Sequence, residues 1–216
     1  MRLLRLDEAA FGPDDTVFKE NPTQALLFTA MFVAGALFFL GLWIEDEVGT
    51  FLGVLMVGMF GVFAAFTGNI ARKAFRPNAW QMAVDGRRAL IKFRSFLNTL
   101  HPETDPQVLE VGLDEIASVR ENELVMLTAG HRGRKATTIE RSVDIRVPGA
   151  DLRPLAERLE VEREWKRTGF SIKAWPVALP EEGVIRVNFS SNVSHVKPPV
   201  GEAVRLLAVR SRGEPK

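Results

Sequence analysis

The sequence predicts an α+β protein: a transmembrane α-hairpin followed by a mainly antiparallel β domain with one or two helices. Three observations predict it. Residues 22–71 carry only three charged side chains, Glu45, Asp46 and Glu47. From Trp80 onward, alternating apolar and polar residues replace the continuous apolar run, which is the period of half-buried strands. A helical apolar stripe then follows Asp151, and Pro198-Pro199 opens a last short helix. The chain accordingly divides into an N-terminal arm (1–21), the hairpin (22–71), a soluble domain (77–209) and a tail (210–216) expected to fray.

The hairpin comes first. Pro22–Ile44 and Val48–Ala71 are free of charge apart from the turn between them, and each reaches roughly 34 Å as a helix, enough for a hydrocarbon core of about 30 Å. Backbone polar groups in lipid must be satisfied within the segment, which selects helix. Asn21 is placed to cap the first helix, with Pro22 at its first position and Gln24 where a capping-box acceptor belongs. The acidic turn is so short that the two helices must be antiparallel neighbours. Small residues recur four apart, at Ala30/Ala34, Gly49/Gly53, Gly61/Ala65 and Ala64/Gly68. Such spacing serves either packing inside the hairpin or a face for another membrane subunit. The apolar stretch is too long for a cleaved signal and a second span follows at once.

Lys and Arg predict the orientation. The N-terminal flank holds Arg2, Arg5 and Lys19, the turn holds none, and residues 72–94 hold seven. Both termini are therefore expected on the cytoplasmic side. The arm, with Leu3, Leu4, Leu6, Ala9, Ala10 and Phe11 before Gly12-Pro13, reads equally as an amphipathic surface helix or as an extra strand on the soluble domain.

In the soluble domain, Trp80–Val84 and Leu90–Arg94 read as a hairpin around Asp85-Gly86. Strands are expected at Val108–Gly112, near Asp114–Val119, and over Glu123–Thr128, Ala136–Glu140 and Val143–Val147. A helix over 152–166 carries Leu152, Leu155, Ala156 and Leu159 inward, with Arg158, Glu160, Glu162 and Glu164 on its wet side. A second hairpin, Ile172–Leu179 with Val184–Phe189, turns through Pro180–Gly183, and a last helix covers Val200–Val209. About seven strands result.

Composition narrows the function. Lys and Arg exceed Asp and Glu by one, which gives no basic character for nucleic acid. The absence of cysteine removes disulfides, thiolate catalysis and Cys-ligated zinc. His101, with Glu103 and Asp105, could offer a metal one nitrogen and two carboxylates, but a Pro-containing polar loop is more often a solvated turn. Ser190, Ser191 and Ser194 lie close to His195 without a nucleophile elbow. Neither a phosphate-binding loop nor a dinucleotide-binding glycine pattern is present. No catalytic, metal or cofactor residue is therefore assigned.

The order of elements carries a resemblance. It rests on Trp80–Val147, with the opening hairpin Asp85-Gly86-Arg87-Arg88 and the stretch Glu110–Val119, which has the form apolar-acidic-Ile-x-x-Val. This resembles the bacterial membrane-anchored pleckstrin-homology-like proteins, in which two transmembrane helices lead into a small barrel. The resemblance implies about seven strands closed by a C-terminal helix, and a role in binding or assembly with a protein partner or larger membrane complex. It leaves open whether the helix at 152–166 or that at 199–209 closes the barrel. In eukaryotic members of this fold the first hairpin holds inositol phosphates, which makes Arg87, Arg88, Lys92 and Arg94 candidates for contact with anionic membrane lipids. The alternative is the positive-inside signal on an ordinary wet strand face.

Overall fold

The computed structural model describes residues 1–94, 102, 104–129, 135–164, 176–191 and 194–211. They belong to two compact units, Asn21–Ala79 on the one hand and Met1–Glu20 with Trp80–Lys216 on the other.

The first unit is a pair of helices, α1 (Thr23–Ile44) and α2 (Thr50–Ala74). Both are long and apolar enough to cross a membrane. The start of α1 is set by Asn21, whose Oδ1 accepts the Thr23 N–H at 3.3 Å and the Thr23 hydroxyl at 2.7 Å. Pro22 already has helical φ, and Leu26 N–H donates to its carbonyl. The side chain of Gln24, expected to complete a capping box, lies outside the described residues. The end of α1 is a Schellman motif: Glu47 N–H donates to Leu42 O at 3.0 Å and Asp46 N–H to Trp43 O at 3.2 Å. Asp46 supplies the left-handed residue, at φ 58°. Arg72 and Lys73 occupy the last turn of α2, where cations complement the carbonyl end of the helix.

The second unit contains eleven strands and two helices among the described residues. Its strands are β1 (Arg2–Leu4), β2 (Thr16–Asn21), β3 (Trp80–Val84), β4 (Arg88–Lys92), β5 (Val108–Gly112), β6 (Ser118–Ala129), β7 (Lys135–Arg146), β8 (Val177–Ala178), β9 (Val184–Asn188), β10 (Ser190–Ser191) and β11 (Ser194–Lys197). A 3-10 turn, Leu113–Glu115, leads from β5 to β6, and the helices are α3 (Arg153–Glu164) and α4 (Val200–Ser211). The α+β class is as expected. The strand count exceeds the seven expected, and among the described residues the pairing forms two sheets. One sheet runs β1-β5-β4-β3-β2-β11-β10 and the other β6-β7-β9-β8.

Much of the excess comes from the N-terminal arm. It is strand rather than surface helix: β1 pairs antiparallel with β5, and β2 with β3. The segment between them crosses the outside of the sheet as a strap. There Ala9, Leu6 and Phe11 pack on Leu4, Trp80, Ala83, Leu90 and Val108, with the Phe11 and Trp80 rings edge to face at 5.5 Å. The main core lies on the opposite face. It joins Phe18, Met82, Ile91, Phe93 and Leu109 of one sheet to Val143, Ile145, Ile185 and Val187 of the other.

Both helices close this core, α3 through Leu155 and Leu159 and α4 through Val200, Ala203, Leu206 and Leu207. Neither is an appendage. The expected breaks at 120–122 and 141–142 are absent, because β6 and β7 pair without interruption over twelve positions from Ser118↔Arg146 to Ala129↔Lys135. The turn before β9 needs its glycine: Gly183 has φ +70° and its carbonyl accepts the Val147 N–H at 2.7 Å. Of the strand expected over Ile172–Leu179, residues 172–175 lie outside the described residues and Val177–Ala178 is β8.

Candidate functional site

The basic first hairpin was the chief sequence candidate, and its turn is built by one carboxylate. Asp85 Oδ1 accepts the N–H groups of Arg87 at 2.6 Å and Arg88 at 2.7 Å, while Asp85 N–H donates to Arg88 O at 3.1 Å. No residue of the turn is left-handed. Asp85 therefore does the work expected of the Asp-Gly pair. Burial opposes its ionisation, but the two amide donors and the Arg88 guanidinium outweigh that and hold the carboxyl below its ordinary value.

The four basic residues do not share a wet face. Arg87 is exposed at the tip. Arg88 donates to Asp85 at 3.0 Å, to Glu110 at 2.6 Å and to the carbonyl of Ala10 at 3.1 Å. It is thus a clamp between hairpin, β5 and the strap, and the Glu110 and Asp85 carboxylates raise its pKa further.

Lys92 and Arg94 are buried, at 3% and 5% exposure, which overturns the expectation of a solvated strand face. β4 has apolar neighbours on both sides, the main core around Ile91 and Phe93 and the second core around Leu90. Burial, with Arg94 as a like-charged neighbour, lowers the Lys92 pKa to about 8.

Arg94 is bound on three sides. Its Nε donates to Glu162 at 2.7 Å, Nη1 to the Pro102 carbonyl at 3.0 Å, and Nη2 lies 3.6 Å from Asp105. Glu162 is itself buried, so it does not belong to the wet side of α3 as its spacing from Arg158 suggests. Sequence reasoning missed this pair because its members lie 68 residues apart. The signal it had was only an acid on the edge of an apolar stripe. The arrangement locks α3 to the end of β4, and it withdraws Lys92 and Arg94 from any surface that a lipid headgroup could reach.

The small residues of the hairpin separate into two sets. Gly53 and Gly68 face α1. A Cβ on Gly53 would stand 2.7 Å from Trp43 Cγ, and one on Gly68 would stand 3.5 Å from Thr29 Cγ2. Gly35, which the four-residue spacing did not single out, is tighter still, 2.6 Å from the Phe60 ring. Around it Phe32, Phe39, Phe60 and Phe63 stack across the pair, and the Thr29 hydroxyl bonds Thr67 at 2.9 Å. Gly49 and Gly61 meet nothing within 4 Å, and Ala30, Ala34 and Ala65 are exposed.

His101 and His131 lie outside the described residues, as does Glu103. Ser190, Ser194 and His195 lie on paired strands, Ser190 opposite His195. Among the described residues no three His, Asp or Glu side chains converge as a metal site. Comparison with known families, curated proteins and solved structures finds no match to this chain.

Proposed function

We propose that this chain is a two-pass protein of the bacterial inner membrane, with both termini in the cytoplasm. Its soluble unit is a non-enzymatic binding or assembly module for a partner protein. The observation that carries the membrane part is the outer surface of the helix pair. Ile44 is 75% exposed and Phe51 83%, and Leu27, Leu37, Phe38 and Val62 are likewise open. Water would penalise that area heavily, whereas lipid does not. The hydroxyls of Thr29 and Thr67 are meanwhile satisfied by one another and by backbone carbonyls. The binding role is favoured over lipid sensing because Arg88, Lys92 and Arg94 serve internal contacts and leave Arg87 alone at the tip.

The absence of cysteine makes the test direct. Glu47→Cys in intact cells should react with an impermeant maleimide, and Arg87→Cys should react only after the membrane is opened. The reverse pattern overturns the orientation. Crosslinking in native membranes that returns monomer from every exposed position of the soluble unit overturns the binding role.

A further inference from the structure

The outer face of the four-stranded sheet carries charge that the fold does not use. Register places Arg120, Asp144 and Arg186 in one row across β6, β7 and β9, with Ser118 and Arg146 in the next. The odd-numbered positions of these strands, Val143, Ile145, Ile185 and Val187, point into the core, so the even-numbered row faces away from it.

Asp144 is the one carboxylate of the row, and it is already saturated. Arg186 donates to both its oxygens, at 2.7 and 2.8 Å, and Asn122 donates to Oδ2 as well. Arg120, directly across from Asp144, is exposed and has no carboxylate partner among the described residues. The same holds for Arg146, its diagonal neighbour. β6 is also the end strand of its sheet, paired on one side only by the described strands.

An end strand offers backbone donors and acceptors to an added extended segment, while side chains on alternate positions choose which segment. A strand laid beside β6 would place every second side chain on the face of Arg120. Guanidinium matches carboxylate in charge and in its paired donors.

We propose that β6 receives an extended acidic segment of the partner protein, with carboxylates set against Arg120 and Arg146. This rests on the partner-binding reading above. The probe is a labelled ten-residue peptide alternating Glu and Thr, titrated onto the full chain in detergent, with the alternating Lys and Thr peptide as control.

The acidic peptide should bind and slow hydrogen exchange along β6. Affinity should fall about tenfold in Arg120→Glu/Arg146→Glu, and that variant should take the Lys peptide instead. Arg120→Gln/Arg146→Gln should weaken binding with an unchanged thermal midpoint, since both side chains are exposed. Equal binding of both peptides, binding indifferent to the two arginines, or Arg-dependent binding to anionic vesicles in place of the peptide would each overturn the proposal.

A photo-crosslinker in native membranes separates the two levels. Capture of a protein from position 153 but not from 118 leaves the binding module standing and removes this face. Capture from no exposed position of the unit removes both.

Discussion

Arg94 and Glu162 form a 2.7 Å ion pair in which each side chain is 5% exposed. It joins the end of β4 to the last turn of α3. A buried pair gains little over an apolar one, but breaking it strands a charge. Arg94→Met alone, or Glu162→Gln alone, should therefore destabilise the soluble unit by about 3–5 kcal/mol. Arg94→Met/Glu162→Met should recover a large part of the loss. Thermal and denaturant unfolding followed by tryptophan fluorescence in detergent measures both, and additive losses in the double variant would contradict the coupling.

Lys92 should make stability depend on alkaline pH. Its pKa is lowered from 10.5 in the unfolded chain to about 8 in the fold. Between those values the unfolded state binds more protons, so stability rises with pH from about 8 to 10.5. Below that window the full cost of a buried charge is present. Lys92→Met should flatten this rise, as read from unfolding midpoints across the range.

The two sets of glycines should respond oppositely. Gly53→Val and Gly35→Val press a side chain into Trp43 and Phe60 respectively, where a Cβ already meets atoms at 2.7 and 2.6 Å. Overpacking of this kind costs about 1–3 kcal/mol. Gly61→Val meets nothing within 4 Å and should leave the hairpin intact. Disulfide trapping between cysteines engineered across α1 and α2 reports the difference.

Removing the ring of Phe11 should loosen the strap. The ring is half-buried against Trp80. Phe11→Ala should cost about 1–3 kcal/mol, below the range for fully buried rings. It should also red-shift tryptophan emission and speed proteolysis between β1 and β2. Unchanged emission would argue against contact with Trp80.

Asp46 holds the left-handed position that ends α1, at φ 58°. Asp46→Gly should relieve about 1 kcal/mol of local backbone cost and stabilise the hairpin. A fall in stability would mean that the carboxylate contributes more than the strain it brings.

By itself the sequence determined the two apolar helices, their acidic turn, the opening hairpin, the inward face of α3 and the presence of α4. These are local properties: charge-free length, periodicity, and cap or turn residues within a few positions. Only the tertiary structure decided where the charges went. Alternation along β4 predicts a wet face for Lys92 and Arg94, but it cannot show that Arg94 meets Glu162 of α3, or that Leu90 on the same face packs under the strap. The spacing of Glu162 from Arg158 fits an exposed helix pair, and only the approach of Arg94 draws it inward. The distribution of glycines between the inside and the outside of the hairpin had the same origin. Spacing four apart marks one stripe of a helix, and the rotation of that stripe toward its neighbour is chosen by the large side chains, Trp43 and Phe60, that must find room.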